Sequence, residues 1–144
     1  MKYSLADYKM TITPNDPVIR AMFNELTIGG EGNALESIQV ERTESQWTTE
    51  SFATGAYVHN KNLSKVGTAD VSLSQLSKYI NKFTKLCESY FSAASEGLTI
   101  SVSGPEGQVC SCIDCYPTKI PAQMMSAKSG TQTWSFTCGE INFN

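Results

Sequence analysis

The chain has 144 residues, of which 40% are hydrophobic, and its formal net charge is −3. This length suits one domain, 1–144, that buries roughly two thirds of its unfolded surface around a core. The acidic balance and the scattered Lys and Arg residues exclude tight binding to a phosphate backbone, which requires clustered positive charge. Residues 1–13 alternate without a continuous apolar run, so we expect no signal peptide, and we expect no membrane span.

The N-terminal part of the chain is predicted to be mostly strand. Residues 3–12 alternate between apolar and polar side chains, which is typical of a strand with one buried face. Residues 18–28 fit either a second strand or a short helix, because their apolar spacing suits both. Residues 37–42 form the next predicted strand, with Ile38 and Val40 pointing inward.

A long polar excursion occupies residues 43–62. It is rich in Thr and Ser and poor in core residues, and it offers turn signals near Gly55 and at 59–62. We therefore expect a two-stranded hairpin that extends away from the domain.

The segment 66–91 changes its hydrophobic period. Residues 68–73 alternate as in a strand with one buried face, and the spacing then lengthens to about 3.6 residues. The apolar stripe from Leu76 to Phe91 predicts an amphipathic helix over about 74–93, with Ser74 as its N-cap and Gly97 after its end.

Four further strand segments are predicted after this helix: 98–103, 109–116, 120–127 and a final strand. Pro121 interrupts the third, which suggests an edge or a bulge, and the final strand places Trp134, Phe136 and Cys138 on one face. The predicted fold class is mainly β: a β-sandwich or half-barrel with one packed amphipathic α-helix at about 74–93.

Four of the predicted strands share a polar face of small hydroxylated and acidic side chains. Such a face fits the wall of a water-filled channel that must not hold what passes through it, and it equally fits the exposed side of an ordinary sandwich. The residues are Ser37, Gln39, Glu41 and Thr43, then Thr68, Asp70 and Ser72, then Thr99 and Ser101, then Thr133, Ser135 and Thr137.

Catalytic patterns are absent from the sequence. His59 is the one histidine, and it lies in a Gly- and Asn-rich turn region rather than in a recognisable catalytic frame. We expect no enzymatic activity and no cofactor.

The cysteines leave three alternatives open. Cys110, Cys112 and Cys115 lie close in sequence, with Cys138 and Cys87 elsewhere. The paired CxxC hooks of common zinc sites are missing, and a strand period of two directs Cys115 away from Cys110 and Cys112. Reduced thiols in the core are favoured over a metal site, and disulfides among Cys110, Cys112, Cys115 and Cys138, within or between subunits, remain the third alternative.

One stretch carries a family resemblance. The run QVERTESQWTTESFATGAYVHNKNLSKVGTADVSLSQLS is similar to the tail tube proteins of contractile-tailed bacteriophages, with an acidic and polar strand, an aromatic turn region and a Lys-x-Gly-Thr-x-x-Val-x-Leu strand leading to a helix. The matching residues are Ser64, Lys65, Gly67, Thr68, Val71 and Leu73. The cysteine content departs from what we associate with that family.

The resemblance implies a structural virion protein. Six subunits would form a ring whose inner strands join into one barrel, and stacked rings would form a channel that DNA crosses without specific binding. The polar faces would line this channel. The tail sheath, baseplate and tape-measure proteins would be partners, and assembly would occur in the host cytoplasm. The excursion would contact the neighbouring ring through Trp47, Phe52, Tyr57 and His59.

Two other hypotheses come from the residues alone. A soluble β-sandwich module that binds a carbohydrate or another ligand is favoured if Trp47, Trp134 and Tyr57 are exposed in one groove. A small thiolate–metal protein is the third hypothesis.

Overall fold

The computed structural model describes residues 4–23, 25–29, 35–75, 77, 79–93, 96–122, 125, 128 and 130–144. Neither α-helix within these ranges is long and apolar enough to cross a membrane. The elements in chain order are a 3-10 helix at Leu5–Asp7, β1 Lys9–Pro14, α1 Pro17–Met22, β2 Leu26–Gly29, β3 Leu35–Arg42, β4 Trp47–Ser51, β5 Tyr57–Lys61, β6 Gly67–Ser74, α2 Ile80–Ala93, β7 Leu98–Gly104, β8 Gly107–Pro117 and β9 Thr131–Phe143.

Seven of the strands form one antiparallel sheet in the order β2-β1-β7-β8-β9-β6-β3. The sheet curls into a half-barrel, which confirms the predicted mainly β fold class. β4 and β5 pair only with each other and form a separate hairpin. The edge strands of the main sheet are β2 and β3, and the 3-10 helix contacts both of them.

The core lies between the sheet and α2. Alternate residues of the central strands are buried because strand side chains point to opposite faces in turn. Phe83 of α2 stacks on Trp134 with ring centroids 5.3 Å apart, and it packs at an angle against Phe136 at 6.3 Å. Trp134, Phe136 and Cys138 share the buried face, as predicted.

Helix α2 begins later than the sequence pattern suggested. The predicted N-cap, Ser74, is instead the last residue of β6, where it pairs with Thr131 of β9. Its carbonyl then accepts a bond from the Ser77 N–H in a turn that precedes the helix. Of the predicted stripe, Leu76 lies outside the described residues and Phe91 is half exposed, whereas Phe83, Leu86, Cys87 and Tyr90 are buried.

The undecided segment 18–28 contains both alternatives, because α1 and β2 follow each other within it. Asp16 starts α1: its Oδ1 accepts the N–H groups of Val18 at 3.0 Å and Ile19 at 3.3 Å. Pro17 occupies the first turn, where its missing N–H costs nothing. This six-residue helix is the short helix of the two predicted alternatives, and it adds a second α-helix to the fold.

The strand predicted over 120–127 is wrong for the described residues of that segment, 120–122 and 125, which lie outside any strand.

A β-bulge in β8 changes the direction of the cysteines. Asp114 has a φ of +58°, and the register between β7 and β8 shifts between the pairs Leu98–Cys115 and Ile100–Cys112. Because of this extra residue, Cys112 and Cys115 both face the core although they are three positions apart. The prediction that Cys115 points away from Cys110 and Cys112 is therefore wrong.

Candidate channel wall and assembly surfaces

Nine of the predicted wall residues form a continuous grid on three adjacent strands. They alternate with apolar side chains such as Ala69, Val71 and Phe136, which point into the core, so all nine lie on the opposite face. We call this set the polar grid. Its rows across β3, β6 and β9 are Ser37, Ser72 and Thr133; Gln39, Asp70 and Ser135; and Glu41, Thr68 and Thr137.

Hydroxyl groups hold parts of this face together. The Ser72 and Thr133 hydroxyls are hydrogen bonded at 2.9 Å across β6 and β9. Two grid members, Glu41 and Asp70, are acidic and none is basic. The polar grid therefore presents hydrogen-bonding groups and negative charge, but no ammonium or guanidinium group that would bind an anion.

The structure adds a carboxylate that the sequence analysis missed. The register of β3 against β6 shifts between Leu35 and Ser37, so Glu36 is an extra, exposed residue rather than a core-facing one. Its Oε2 accepts the Thr131 hydroxyl at 2.5 Å. Strict alternation places Glu36 on the same side as Ile38, so the pattern carried no signal for this position. Glu36 extends the acidic face by one row.

Three other predicted wall residues lie outside the polar grid. Thr99 and Ser101 belong to β7, which β8 separates from β9, and their hydroxyls accept the side-chain amides of Asn15 at 2.8 Å and Gln108 at 2.9 Å. Thr43 follows the end of β3, and its N–H donates to the Val66 carbonyl at 3.1 Å. Thr99 and Ser101 are therefore separated from the polar grid by β8, whereas Thr43 follows the grid residue Glu41 by two positions at the end of β3.

The β4–β5 hairpin is exposed on both of its faces. All ten strand residues are exposed, and the turn between them contains Gly55 with a φ of +89°. Trp47 is 63% exposed and Tyr57 is 66% exposed, while Phe52 is half exposed beside the turn. An isolated two-stranded hairpin is marginally stable at best in water, so this segment lacks the packing that fixes the main sheet.

Side-chain contacts within the hairpin order one of its faces. Lys61 lies over the Trp47 ring with its Nζ 5.8 Å from the ring centroid. The Tyr57 and His59 rings are 5.2 Å apart, and His59 Nδ1 is hydrogen bonded to the Thr49 hydroxyl at 2.9 Å. Three of the four predicted contact residues, Trp47, Tyr57 and His59, thus form one exposed aromatic face.

All five cysteines are free and buried. Burial and the neighbouring Glu88 raise the pKa of Cys87 to about 12. A contact with Cys112 and burial raise the pKa of Cys110. A disulfide between subunits requires a thiol at the subunit surface, and Cys110, Cys112, Cys115 and Cys138 are all buried in the subunit.

The ligand-binding and metal hypotheses find no support in this geometry. Trp134 is 1% exposed beneath α2, whereas Trp47 and Tyr57 lie on the hairpin, so the three rings do not line one groove. Among the described residues, no group of three or more His, Cys, Asp or Glu side chains is arranged to hold a metal ion.

A curled antiparallel half-barrel sheet packed against a helix is consistent with a tail-tube-type fold. The family described as Bacteriophage PhiTE tail tube protein matches residues 2–144, and the chain belongs to this family. It is therefore a structural tail tube protein and a component of the virion tail rather than an enzyme. The predicted family resemblance is confirmed.

Two solved structures share the fold at very low sequence identity. One is from the PVC sheath/tube terminator of an extracellular contractile injection system in the extended state, with a TM-score of 0.55, 8% identity and coverage of 100% of this chain and 97% of that chain. The other is from the PVC sheath–tube complex in the extended state, with a TM-score of 0.55, 8% identity and coverage of 99% and 91%. A search of curated proteins finds no match.

Proposed function

We propose that this protein forms stacked hexameric rings and that the polar grid, with Glu36 beside it, lines the channel through which DNA enters the host. The observation that supports this most directly is the continuity of the face: nine predicted wall residues are neighbours on three strands, and none is basic. The assignment to the tail tube family supplies the context in which such a face has a use.

The charge of the proposed wall suits passage rather than binding. Duplex DNA carries one negative charge for about every 1.7 Å of its axis, so a ring of cations would hold it through many simultaneous contacts. Glu36, Glu41 and Asp70 repel phosphate instead, while the Ser and Thr hydroxyls keep the wall wetted. DNA would thus cross the lumen without specific binding.

Ring closure would use the two edges of the half-barrel. β2 and β3 are the terminal strands of the main sheet as the structure describes it, and each is hydrogen bonded to one neighbouring strand. An open edge is a template for pairing with another chain. We assign these edges to contacts between adjacent subunits of one ring.

Stacking would use the β4–β5 hairpin. The hairpin is exposed on both faces and carries the aromatic side chains of Trp47, Phe52, Tyr57 and His59. The adjacent ring of subunits is the surface that would bury these side chains. The tail sheath, baseplate and tape-measure proteins are the further partners we propose, with assembly in the host cytoplasm.

The wall assignment is tested by reversing its charge. Phage particles carrying Glu41→Lys or Asp70→Lys should assemble tubes but lose DNA release and infectivity, because each subunit then adds a cation to the lumen. Glu88→Lys is the matched control, since it makes the same charge change on the exposed side of α2. Normal release from both wall variants, or an equal loss in the control, would contradict the assignment.

The assembly assignment is tested by removing the hairpin. A chain lacking residues 46–60 should remain folded by circular dichroism but form no stacked tubes under negative stain. Ring formation, measured by native mass, should survive because the edges β2 and β3 are intact. Tubes of normal length from the deleted chain would refute the stacking role.

A further inference from the structure

Cys115 and Cys138 face each other directly across the paired strands β8 and β9. The Cys115 thiol donates to Cys138 Sγ, with the two sulfurs 3.1 Å apart, and both residues are at most 1% exposed. No other pairing of the five cysteines has this relation. Cys110 lies opposite Phe143 and Val102, Cys112 lies opposite Ile141 and Ile100, and Cys87 is on α2.

The strand geometry suits a covalent bond between these two residues. Directly opposed residues in an antiparallel pair have Cα atoms about 4.5 or 5.5 Å apart. Disulfides span Cα separations of roughly 4.4–6.8 Å, so neither strand needs to move far. The bulge at Asp114 is what turns Cys115 toward Cys138, since an uninterrupted strand would direct it to the other face.

The neighbours of the two sulfurs shift their pKa values in opposite directions. Contacts from Cys112 and Cys115 lower the pKa of Cys138, whereas contacts with Cys112 and Cys138, together with burial, raise the pKa of Cys115. The more acidic sulfur is the better source of thiolate, which is the nucleophile in disulfide exchange.

We propose that Cys115 and Cys138 form an intrachain disulfide that joins β8 to β9 when the protein meets oxidising conditions. The proposal concerns one subunit and does not depend on ring assembly. It selects one pair from the four cysteines that the sequence left open, and it places the bond inside the subunit rather than between subunits.

The bond forms by exchange with a low-molecular-weight disulfide. The Cys138 thiolate attacks one sulfur of that reagent, which produces a mixed disulfide and releases one small thiolate. Cys115 loses its proton to a solvent base and attacks the Cys138 sulfur, which releases the second small thiolate. Two protein thiols are thereby oxidised and one small disulfide is reduced to two thiols.

The new bond would constrain the middle of the half-barrel. β8 and β9 are adjacent central strands, and the chain between the two cysteines includes residues 118–130, which connect them. Closing this loop reduces the freedom of the unfolded chain and so stabilises the folded one. Because both sulfurs are buried, the reaction must wait for local opening, and mild denaturant should accelerate it.

The test counts thiols in the purified full chain. The reduced protein is incubated with oxidised glutathione, with and without mild denaturant, then unfolded, alkylated with iodoacetamide and weighed. Five alkyl groups are expected before oxidation and three after it, and peptide mapping should join Cys115 to Cys138. The thermal midpoint should rise by about 10 °C.

Matched variants distinguish this pair from its neighbours. The Cys115→Ser variant should form no bond between two cysteines and should show no rise in thermal midpoint, because the mixed disulfide of Cys138 with glutathione has no second thiol to resolve it. The Cys110→Ser variant should still lose two thiols to the Cys115–Cys138 bond. Oxidation of fully unfolded protein is the positive control for the reagent. Five alkyl groups after treatment in mild denaturant, a bond to Cys112, or a bond that leaves the midpoint unchanged would each overturn the proposal.

Discussion

The polar grid and the β4–β5 hairpin are both rich in Ser and Thr, yet the structure supports them differently. Behind the grid, Ala69, Val71 and Phe136 are fully buried against the core, so the polar face rests on a packed sheet. Behind each face of the hairpin there is only solvent. The same composition thus occurs once on a surface fixed by its own subunit and once on a segment that a neighbour would have to fix.

This contrast separates the free energy that stabilises the subunit from the free energy that would stabilise contacts between subunits. Burial of side chains such as Phe83 and Trp134 against the sheet stabilises the subunit. The exposed contacts of the hairpin, such as Lys61 over Trp47, contribute roughly 0.5–1 kcal/mol each. We therefore expect substitutions of core residues between the sheet and α2 to lower the free energy of unfolding. We expect substitutions on the hairpin to change the assembly of tubes.

The largest effect should come from removing the buried tryptophan. Trp134→Ala deletes a side chain that is 1% exposed and stacked on Phe83, and it should lower the free energy of unfolding by about 3–5 kcal/mol. Denaturant unfolding followed by circular dichroism measures this change. A loss below about 1 kcal/mol would show that α2 does not depend on this contact.

A smaller loss of unfolding free energy is expected from a substitution beside the bulge at Asp114. A Cβ on Gly97 would lie 2.6 Å from Asp114 Oδ1 and 3.0 Å from its backbone, so Gly97→Ala should cost about 1–3 kcal/mol. Gly139→Ala is the matched control, because its nearest contacts to Asp114 would be 3.5 Å or longer. Equal unfolding free energies for the two variants would contradict the tight packing around Asp114.

Alkaline pH should lower the free energy of unfolding progressively, through two buried groups of α2. Burial raises the pKa of Cys87 from 9.0 to about 12 and that of Tyr90 from 10.0 to about 12. Since the unfolded chain releases these protons first, the stabilisation is complete below about pH 9 and is lost as pH rises toward 12. The slope is about 1.4 kcal/mol per pH unit for each group.

Two variants check this pH dependence. Cys87→Ala and Tyr90→Phe should each reduce the slope of unfolding free energy against pH between 9 and 12, measured by urea titration at several pH values. The wild-type slope should be the steepest of the three. An unchanged slope in both variants would show that other groups cause any alkaline loss.

The smallest effect on folding is expected for the exposed tryptophan. Trp47→Ala should change the unfolding free energy by less than about 0.5 kcal/mol, because the side chain is 63% exposed. If the hairpin joins rings, the same change should shorten tubes under negative stain, and Glu50→Gln on the other face should shorten them less. A large loss of subunit stability would mean that the hairpin packs on the main sheet.

Several features of this protein could be read from the sequence because they depend on local periodicity. The alternation in β6 and β9 placed Asp70, Ser72 and Ser135 on one face, and the 3.6-residue stripe identified the helix that contains Phe83. The turn signal at Gly55 lies between the two strands of the hairpin. Each of these follows from the direction of successive side chains along one element.

The tertiary structure decided what depends on pairing between elements. The bulges at Glu36 and Asp114 each add a residue to one strand, and only the partner strand reveals that Glu36 joins the acidic face and that Cys115 turns toward Cys138. The start of α2 was likewise set by Ser74 pairing with Thr131, which extended β6 past the local helix signal. The sequence determined which faces are polar, because periodicity is local, and the sheet decided which residues meet, because register depends on strands distant in the chain.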